Sequence, residues 1–239
     1  MSKPTIILVH GFWANAAHWA DVILLLNAKG YEQQAVDIPL TSLAEDAERV
    51  RKAVRQVQGD VILVGHSYGG AVITEAGNLP SVVGLVFIAA FAPDKSESLA
   101  SISAQYSAVA TTEDCLSTDS DGYLWMKMPQ FHETLCQDLP KHKALVMAVS
   151  QKAPVASVFG DHVTEPAWRA KPSWYQMSTD DRCIAPDAQK FMSLRMRAVK
   201  VIYLDAGHLS PSSQPKAIAR LIDEAAGSVC QGLGFGSLQ

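Results

Sequence analysis

Residues 60–70 read DVILVGHSYGG, and this stretch carries the strongest local signal for the fold. An apolar run typical of a buried strand leads into Gly65-His-Ser-Tyr-Gly69, and a helical pattern follows. A serine on such a tight strand-to-helix turn has a strained backbone and a hydroxyl exposed above the sheet. Side chains at positions 65 and 69 would collide with the strand or the helix, so glycine occupies both. The stretch therefore predicts that Ser67 is a nucleophile.

On both sides of this stretch, apolar strand-like runs alternate with amphipathic helical patterns. Such alternation is typical of a parallel sheet flanked by helices, so we expect an α/β fold. A capping box, Ser42-Leu-Ala-Glu45, opens one of the helices. The predicted strands lie at 5–10, 31–36, 60–65, 82–90, 173–177 and 199–204, and the predicted helices at 19–26, 42–57, 69–79, 187–197 and 215–226.

The segment 94–170 breaks the alternation. It is rich in Ser, Thr and Asp at first and then carries aromatic and apolar residues at loosely helical spacing. An insertion of this length inside a regular α/β array is usually functional. It could be a few helices that cover the sheet edge, but a helical cap over a substrate pocket is favoured by its place between the candidate catalytic strands. We therefore expect a core of residues 1–93 and 171–239 with a cap of residues 94–170.

A serine hydroxyl needs a general base, which an acid must orient. His208 is the predicted base because it follows the last strand, in the sequence Asp205-Ala-Gly-His208. The acid is expected after the preceding strand, where Asp180 and Asp181 are adjacent. We predict Asp181, because the Asp-x-x-Ile-x-Pro pattern places it at the turn that leaves the strand. Asp180 and Asp205 are the alternatives.

Acyl transfer also needs two donors for the oxyanion of the tetrahedral intermediate. The backbone amide of Tyr68 is one candidate, because it follows the nucleophile. The amide of Phe12, after the first buried strand, is the other, and Gly11 lets the chain turn in close. Aromatic residues near these loops favour an apolar or aromatic substrate group, although each taken singly is more often a core residue. The predicted substrate-binding residues are Gly11, Trp13, Phe91, Tyr123, Trp125, Phe131 and Leu209.

Composition excludes several other classes of function. The net charge of −4 gives no basic surface, so nucleic acid is not an expected partner. No apolar run reaches the roughly 18 residues of a membrane helix, and the first residues lack a signal-peptide profile. We therefore expect a cytoplasmic protein that does not bind membranes. Residues 228–239 are glycine-rich, and we expect a poorly ordered or lightly docked tail there.

Cysteine and histidine spacing argues against metal chemistry. The four cysteines are scattered without a Cys-x-x-Cys pair, so we expect free thiols, two or three of them packed as small apolar groups. The seven histidines show no metal-ligand spacing, and no metal is predicted.

Over residues 4–226 the chain resembles the α/β-hydrolase superfamily. Among its members it is similar to small bacterial carboxylesterases, which are related to plant methyl-salicylate-type esterases and hydroxynitrile lyases. The resemblance rests on the segment around Asp181 and on these motifs: VHGFW at 9–13, PLTSL at 39–43, GHSYGGAVITE at 65–75, AAFAP at 89–93 and KPSWY at 171–175. The resemblance implies a serine esterase that needs no cofactor, has a helical cap and acts on small, often aromatic, esters. The oligomeric state is left open, with a homodimer as one arrangement.

Other activities within this superfamily remain as alternatives. Hydroxynitrile lyases carry a lysine directly after the histidine and a threonine near the oxyanion loop. Here Leu209 follows the base and the loop is Gly11-Phe12-Trp13, so both lyase markers are absent. A lactonase, a pyrethroid hydrolase or a carbon–carbon hydrolase would use the same triad. A cofactor-free oxygenase and a non-catalytic receptor with a hydrolase fold also stay open.

Overall fold

The computed structural model describes residues 3–106 and 114–231, and at its centre lies a six-stranded sheet. Its strands are β1 (Thr5–Val9), β2 (Gln33–Val36), β3 (Val61–His66), β4 (Val82–Ile88), β7 (Ser173–Ser178) and β8 (Lys200–Leu204), and a short antiparallel hairpin is formed by β5 (Leu116–Thr118) and β6 (Leu124–Met126). The strand order is β2-β1-β3-β4-β7-β8, and each neighbouring pair is parallel. The predicted fold class is confirmed.

Helices connect the strands and cover both faces of the sheet. They are α1 (Ala20–Ala28), α2 (Leu43–Gln56), α3 (Tyr68–Ala76), α4 (Leu99–Ser103), α5 (Met128–Leu135), α6 (Lys141–Val149), α7 (Pro186–Arg195), α8 (Ser210–Ser213) and α9 (Pro215–Cys230), with 3-10 turns at Ala16–Trp19, Ala156–Gly160 and Ala167–Arg169. In the part of the chain that the structure describes, no helix combines the length and the apolar character needed to cross a membrane.

The central strands are buried on both faces because helices cover each of them. In β1, Ile6 and Leu8 pack in the core layer that includes residues of α1 and α9. Ile7 and Val9 point the other way, into the layer that includes residues of α2, α3 and α7. Strands sandwiched in this way read as continuous apolar runs, which is why the sequence predicted them well.

Most predicted boundaries differ from the structure by one to three residues, and the differences at β4 and α9 have a visible reason or consequence. Strand β4 ends at Ile88, two residues early, because Ala89 has φ +41° and turns the chain away from the sheet. Helix α9 extends to Cys230, so residues 228–230 are helical and do not belong to a poorly ordered tail. The predicted tail at 232–239 lies outside the described residues. Cys136 and Cys183 are buried thiols, as expected for two or three of the cysteines.

The parallel arrangement positions the candidate site. The carboxyl ends of all six strands lie at one edge of the sheet, where ligands of open α/β sheets bind. The loops that follow β1, β3, β7 and β8 carry the oxyanion, nucleophile, acid and base candidates respectively. The insertion between β4 and β7 leaves the sheet at the same edge.

Candidate active site

Ser67 occupies a strained turn between β3 and α3. Its backbone has φ +56° and ψ −124°, a conformation that residues other than glycine rarely adopt. A Cβ atom on Gly65 would lie 2.4 Å from the carbonyl oxygen of Gly69, and a Cβ on Gly69 would lie 2.4 Å from that of Val9. The two glycines therefore let strand and helix meet closely around Ser67, as the sequence predicted, but the serine is buried, with 6% of its surface exposed.

The backbone of Ser67 is fixed to the end of β4. Its amide donates to the carbonyl of Ile88 at 3.2 Å, and its carbonyl accepts from the amide of Phe91 at 3.1 Å. These two bonds hold the strained turn in place, since a strained residue persists only where its surroundings determine it.

The side chains of Ser67, His208 and Asp181 are hydrogen-bonded in series. Nε2 of His208 lies 2.8 Å from Oγ of Ser67, and Nδ1 of His208 lies 2.8 Å from Oδ2 of Asp181. A carboxylate can only accept, so Nδ1 carries the proton and Nε2 is left to accept from the serine hydroxyl. Asp180 and Asp205, the alternative acids, are exposed, and neither bonds His208 among the described residues.

Four donors surround the carboxylate of Asp181. Oδ1 accepts from the amides of Cys183 and Ile184 at 2.8 and 3.0 Å, and Oδ2 accepts from Nε2 of Gln189 at 2.8 Å in addition to His208. No oxygen is left without a donor, so the plane of the carboxylate is fixed. Gln189 was not found from the sequence, because one glutamine in the first turns of α7 carries no local signal.

Two further histidines pack behind the base, with their rings tilted to one another by 50° and 54°. The ring centroid of His66 lies 4.8 Å from that of His208 and 5.0 Å from that of His18. Nε2 of His66 donates to the carbonyl of His208 at 2.8 Å. Burial lowers the pKa of His66 well below its ordinary value and the pKa of His18 to about 3. Both rings are therefore neutral at pH 7 and do not compete with a positive charge on His208.

The position of His66 beside Ser67 in the sequence was the only signal that could have marked it as a neighbour of the base. His18 offered less, because it lies at the end of a 3-10 turn rather than on a predicted strand end.

The predicted oxyanion loop lies directly against the candidate nucleophile. A Cβ on Gly11 would lie 2.5 Å from Cβ of Ser67, so only glycine fits there. Among the described residues, neither the amide of Phe12 nor that of Tyr68 donates to a protein acceptor. Tyr68 is the first residue of α3, where helix amides have no partner within the helix. Both amides are therefore available to an anionic oxygen.

The insertion between β4 and β7 is bonded to three of the loops that carry site residues. One bond comes from the residue after Phe12, one from the segment after Asp181, and one from the residue after His208. They join the amide of Trp13 to the carbonyl of Lys152 (3.0 Å), Sγ of Cys183 to the carbonyl of Thr134 (3.3 Å), and the amide of Leu209 to the carbonyl of Leu135 (3.1 Å).

A cavity of about 300 Å³ lies between the Trp13–Asp21 segment and α6. Trp13 and Leu209, both predicted to bind substrate, line it, together with His18, Val146 and Met147. Neither Ser67 nor His208 is among its lining residues. The cavity is nevertheless next to the site, because its walls include the chain neighbours of Phe12 and His208.

The other predicted pocket residues lie elsewhere. Phe91 and Phe131 are buried in the same large core cluster that surrounds the site. Tyr123 is half-buried and forms an isolated β-bridge with Val155. Trp125 is 38% exposed, and its indole donates to Asp119 at 2.7 Å. None of these four lines the 300 Å³ cavity, so their contact with substrate stays a prediction.

One group of side chains among the described residues brings potential metal-ligating atoms close together. Asp181, Cys183 and His208 place their ligand atoms within 4.8 Å of one another. The hydrogen bond between the first and the last already uses both of their facing atoms. Burial raises the pKa of the Cys183 thiol well above its ordinary value, so it is a neutral thiol and a poor ligand. The group fits a proton relay better than a metal centre.

The sequence profile of the alpha/beta hydrolase family matches residues 6–221, which is most of the chain. The protein therefore belongs to the alpha/beta hydrolase family, and the predicted resemblance and class of enzyme, a hydrolase, are confirmed.

Two relatives and one solved structure illustrate the match. Probable hydrolase R7 of Phoma sp. is 27% identical over 249 residues, covering 95% of this chain and 100% of that protein. Methylesterase 8 of Arabidopsis thaliana is 25% identical, covering 80% of this chain and 78% of that protein. A crystal structure of the pyrethroid hydrolase PytH has a TM-score of 0.81 at 22% identity, covering 95% of this chain and 98% of that chain. The structural likeness shows the fold alone.

Proposed function

We propose that this protein is a serine carboxylesterase that hydrolyses small apolar or aromatic esters. The observation that carries the proposal is the series of hydrogen bonds from Ser67 through His208 to Asp181, next to two backbone amides that donate to no acceptor among the described residues. A nucleophile, an oriented base and oxyanion donors are the parts that acyl transfer needs.

In the first half-reaction, Oγ of Ser67 attacks the ester carbonyl carbon and its proton passes to Nε2 of His208. The amides of Phe12 and Tyr68 bind the oxyanion of the tetrahedral intermediate. When the bond to the leaving alcohol breaks, His208 gives its proton to the alcohol oxygen. Asp181 stabilises the imidazolium that exists between these two transfers. The product is an acyl ester on Ser67.

In the second half-reaction, a water molecule attacks the acyl carbon and gives a proton to His208. The same two amides bind the new oxyanion. The bond to Oγ of Ser67 then breaks, and His208 returns the proton to that oxygen. A carboxylic acid leaves, and the enzyme is restored.

The proposed substrates follow from the cavity beside the site. Its volume of about 300 Å³ is at the small end of ligand pockets, and Trp13, Val146, Met147 and Leu209 give it an apolar wall. Methyl esters of aromatic acids are the first class to test, because methylesterase 8 is among the relatives. Pyrethroid-type esters are the second, because of the likeness to PytH. No cofactor enters the proposed reaction.

We also propose that residues 94–170 act as the cap of this site. The segment makes the three bonds to site loops described above, and two further contacts tie its helix α6 region to the core. Asn15 donates to the carbonyl of Ser150 at 3.0 Å, and Lys143 lies 3.7 Å from Asp21. Both contacts flank the cavity, so the cap would control how an ester enters it.

The experiment is a panel of aryl, methyl and longer alkyl esters, lactones and a pyrethroid-type ester, assayed with the wild-type protein and Ser67→Ala. We expect ester hydrolysis that Ser67→Ala abolishes without loss of folding. Ser173→Ala is the matched control, because Ser173 is also a buried serine but begins β7, at the end of that strand far from the site. This variant should retain full activity. Hydrolysis that survives Ser67→Ala would contradict the proposal.

Two outcomes of the ester panel would favour a different function. Preference for lactones would favour a lactonase with the same triad. Binding of esters without turnover, together with no covalent labelling of Ser67, would favour a non-catalytic receptor. A lyase is disfavoured because the buried Leu209 follows the base, where lyases carry lysine. A cytoplasmic location remains a prediction from the sequence.

A further inference from the structure

We propose that Asp46, on α2, is a positioning residue for ester hydrolysis, because through the phenol of Tyr68 it holds both oxyanion-binding amides in place. The inference rests on the proposed function. It assigns a role to a carboxylate that does not touch the reacting atoms.

Asp46 is a fully buried acid with two specific partners. Its Oδ2 accepts from the hydroxyl of Tyr68 at 2.6 Å, and its Oδ1 accepts from the amide of Leu40 at 2.7 Å. Asp46 and Tyr68 both have 0% of their surface exposed. The carboxylate therefore joins the loop before α2 to the first residue of α3, which is the residue that follows Ser67.

The restraint on Tyr68 extends to the second oxyanion donor. The rings of Phe12 and Tyr68 are stacked with centroids 4.2 Å apart and planes 18° apart. Phe159 packs on the same Phe12 ring at 4.7 Å. The two residues that offer the proposed oxyanion-binding amides are thus in direct side-chain contact, and Asp46 anchors the far end of that pair.

A purely structural role does not account for the choice of residues. Burial raises the pKa of Asp46 to about 6, because removing a carboxylate from water is costly even with two hydrogen bonds. A phenylalanine at position 68 would fill the same space without a buried hydroxyl, and the amide of Leu40 by itself would need only a neutral acceptor at position 46. A phenol bonded to a fixed carboxylate has a defined orientation, which an apolar contact does not supply. Misplacing such donors by about 1 Å can lower the rate on the order of 100-fold. A fixed orientation of Tyr68 therefore offsets the free-energy cost of burying the carboxylate.

The chain offers a matched control for this pair. The hydroxyl of Tyr31 donates to Oδ1 of Asp223 at 2.7 Å, the same phenol-to-carboxylate bond, but it joins the segment before β2 to α9. Tyr31→Phe removes this bond away from the site, just as Tyr68→Phe removes the bond to Asp46. Neither substitution removes an aromatic ring or a backbone amide.

The test compares Tyr68→Phe, Asp46→Asn, the double variant and Tyr31→Phe with the wild type in the full chain. The kcat and KM for the best ester of the panel are measured per active serine, by titration with a fluorophosphonate that reacts only with folded sites. The inhibition constant of a trifluoromethyl ketone, whose adduct with serine carries an oxyanion, is measured in parallel.

We expect Tyr68→Phe and Asp46→Asn to lower kcat by roughly tenfold to 100-fold with KM changed by less than about twofold. The trifluoromethyl ketone should bind more weakly by the same factor as the loss in kcat/KM. The double variant should be no worse than the more impaired single variant, because the two residues act as one unit. Tyr31→Phe should leave all three quantities within about twofold of the wild type.

Wild-type kcat per titrated serine in both single variants would overturn the inference and leave the proposed function intact, and so would a loss that Tyr31→Phe shares. Absence of Ser67-dependent turnover in the wild type would instead contradict the proposed function, and the inference with it. If Asp46→Asn gives no titratable protein, the milder Tyr68→Phe decides by the same criteria.

Discussion

Gln189 donates from Nε2 to Oδ2 of Asp181 at 2.8 Å, the same oxygen that accepts the hydrogen bond from Nδ1 of His208. The other end of the amide accepts from the backbone of Ser178 at 3.1 Å, at the end of β7. Gln189 is fully buried. One side chain thus links the strand that delivers the acid to the acid itself, so it fixes where the imidazole of His208 is held.

Replacing Gln189 with Leu should lower kcat by roughly tenfold to 100-fold with little change in KM, because the carboxylate can then rotate away from the base. The free energy of unfolding should fall by about 1–3 kcal/mol, because the amide of Ser178 loses its partner. Gln33→Leu is the control, since it removes a side-chain bond to Ile23 at 2.8 Å on the far edge of the sheet. If both variants lose kcat equally, Gln189 has no specific effect on the acid.

The choice between the two adjacent acids can be tested by Asp181→Asn and Asp180→Asn. In Asp181→Asn the new side-chain amide would donate where the carboxylate accepts, so His208 would take the wrong tautomer and kcat should fall by about 10⁴-fold. Asp180 is exposed and lies outside the relay, so its substitution should change kcat by less than about twofold. Equal losses in the two variants would contradict the assignment of the acid.

Gly11→Ala tests the close contact between the oxyanion loop and the nucleophile. The new Cβ would lie 2.5 Å from Cβ of Ser67, so one of them must move and the amide of Phe12 moves with it. We expect a loss of kcat/KM on the order of 100-fold or more. Gly227→Ala, in α9, meets no atom within 4 Å and should raise stability by about 0.4–1 kcal/mol at full activity. Full activity of Gly11→Ala would show that the loop does not carry the donor.

The neutral state of His18 predicts a specific dependence of stability on pH. Burial lowers the pKa of His18 from 6.5 to about 3, so between these values the unfolded chain binds one more proton than the native protein. The stability that depends on His18 is therefore fully present above pH 6.5 and is lost as the pH falls towards 3. His66 acts in the same direction, whereas Asp46, whose pKa is raised to about 6, acts against them between pH 6 and 4.

His18→Asn keeps a donor for the carbonyl of Asn15 and removes the titrating ring. Urea unfolding from pH 6 to pH 5 should show a slope of stability against pH that is smaller than in the wild type by up to about 1.4 kcal/mol per pH unit. Parallel curves for the two proteins would mean that His18 does not stay neutral in the native state.

The central elements were predictable because their signals are local or follow from strand order. The turn at Ser67 needs glycines at fixed spacing, and the buried strands read as apolar runs. His208 and Asp181 could be placed because loops after parallel strands meet at one edge of the sheet. For the same reason the loop of Phe12 could be assigned before the structure was known.

The supporting residues could not be predicted, because their roles depend on packing between distant segments. Asp46 is an ordinary acid in the first turn of a helix until Tyr68 is seen to bond it 22 residues later. Gln189 can bond Asp181 only because the first turn of α7 packs against the loop that carries this acid. The contact of Trp125 with substrate stays a prediction, and the structure adds that its indole bonds Asp119 beside the same hairpin.

The most direct test of the central claim is the identity of the atom that a fluorophosphonate modifies. Attack by a serine oxygen on phosphorus, with loss of fluoride, leaves a stable adduct that peptide mass spectrometry can locate. We predict one adduct per chain, on Ser67, and its formation should stop ester hydrolysis. His208→Ala, treated with the fluorophosphonate at the same concentration and for the same time, should carry no adduct. An adduct on another residue, or ester hydrolysis that continues after Ser67 is fully modified, would contradict the assignment of Ser67 as the nucleophile.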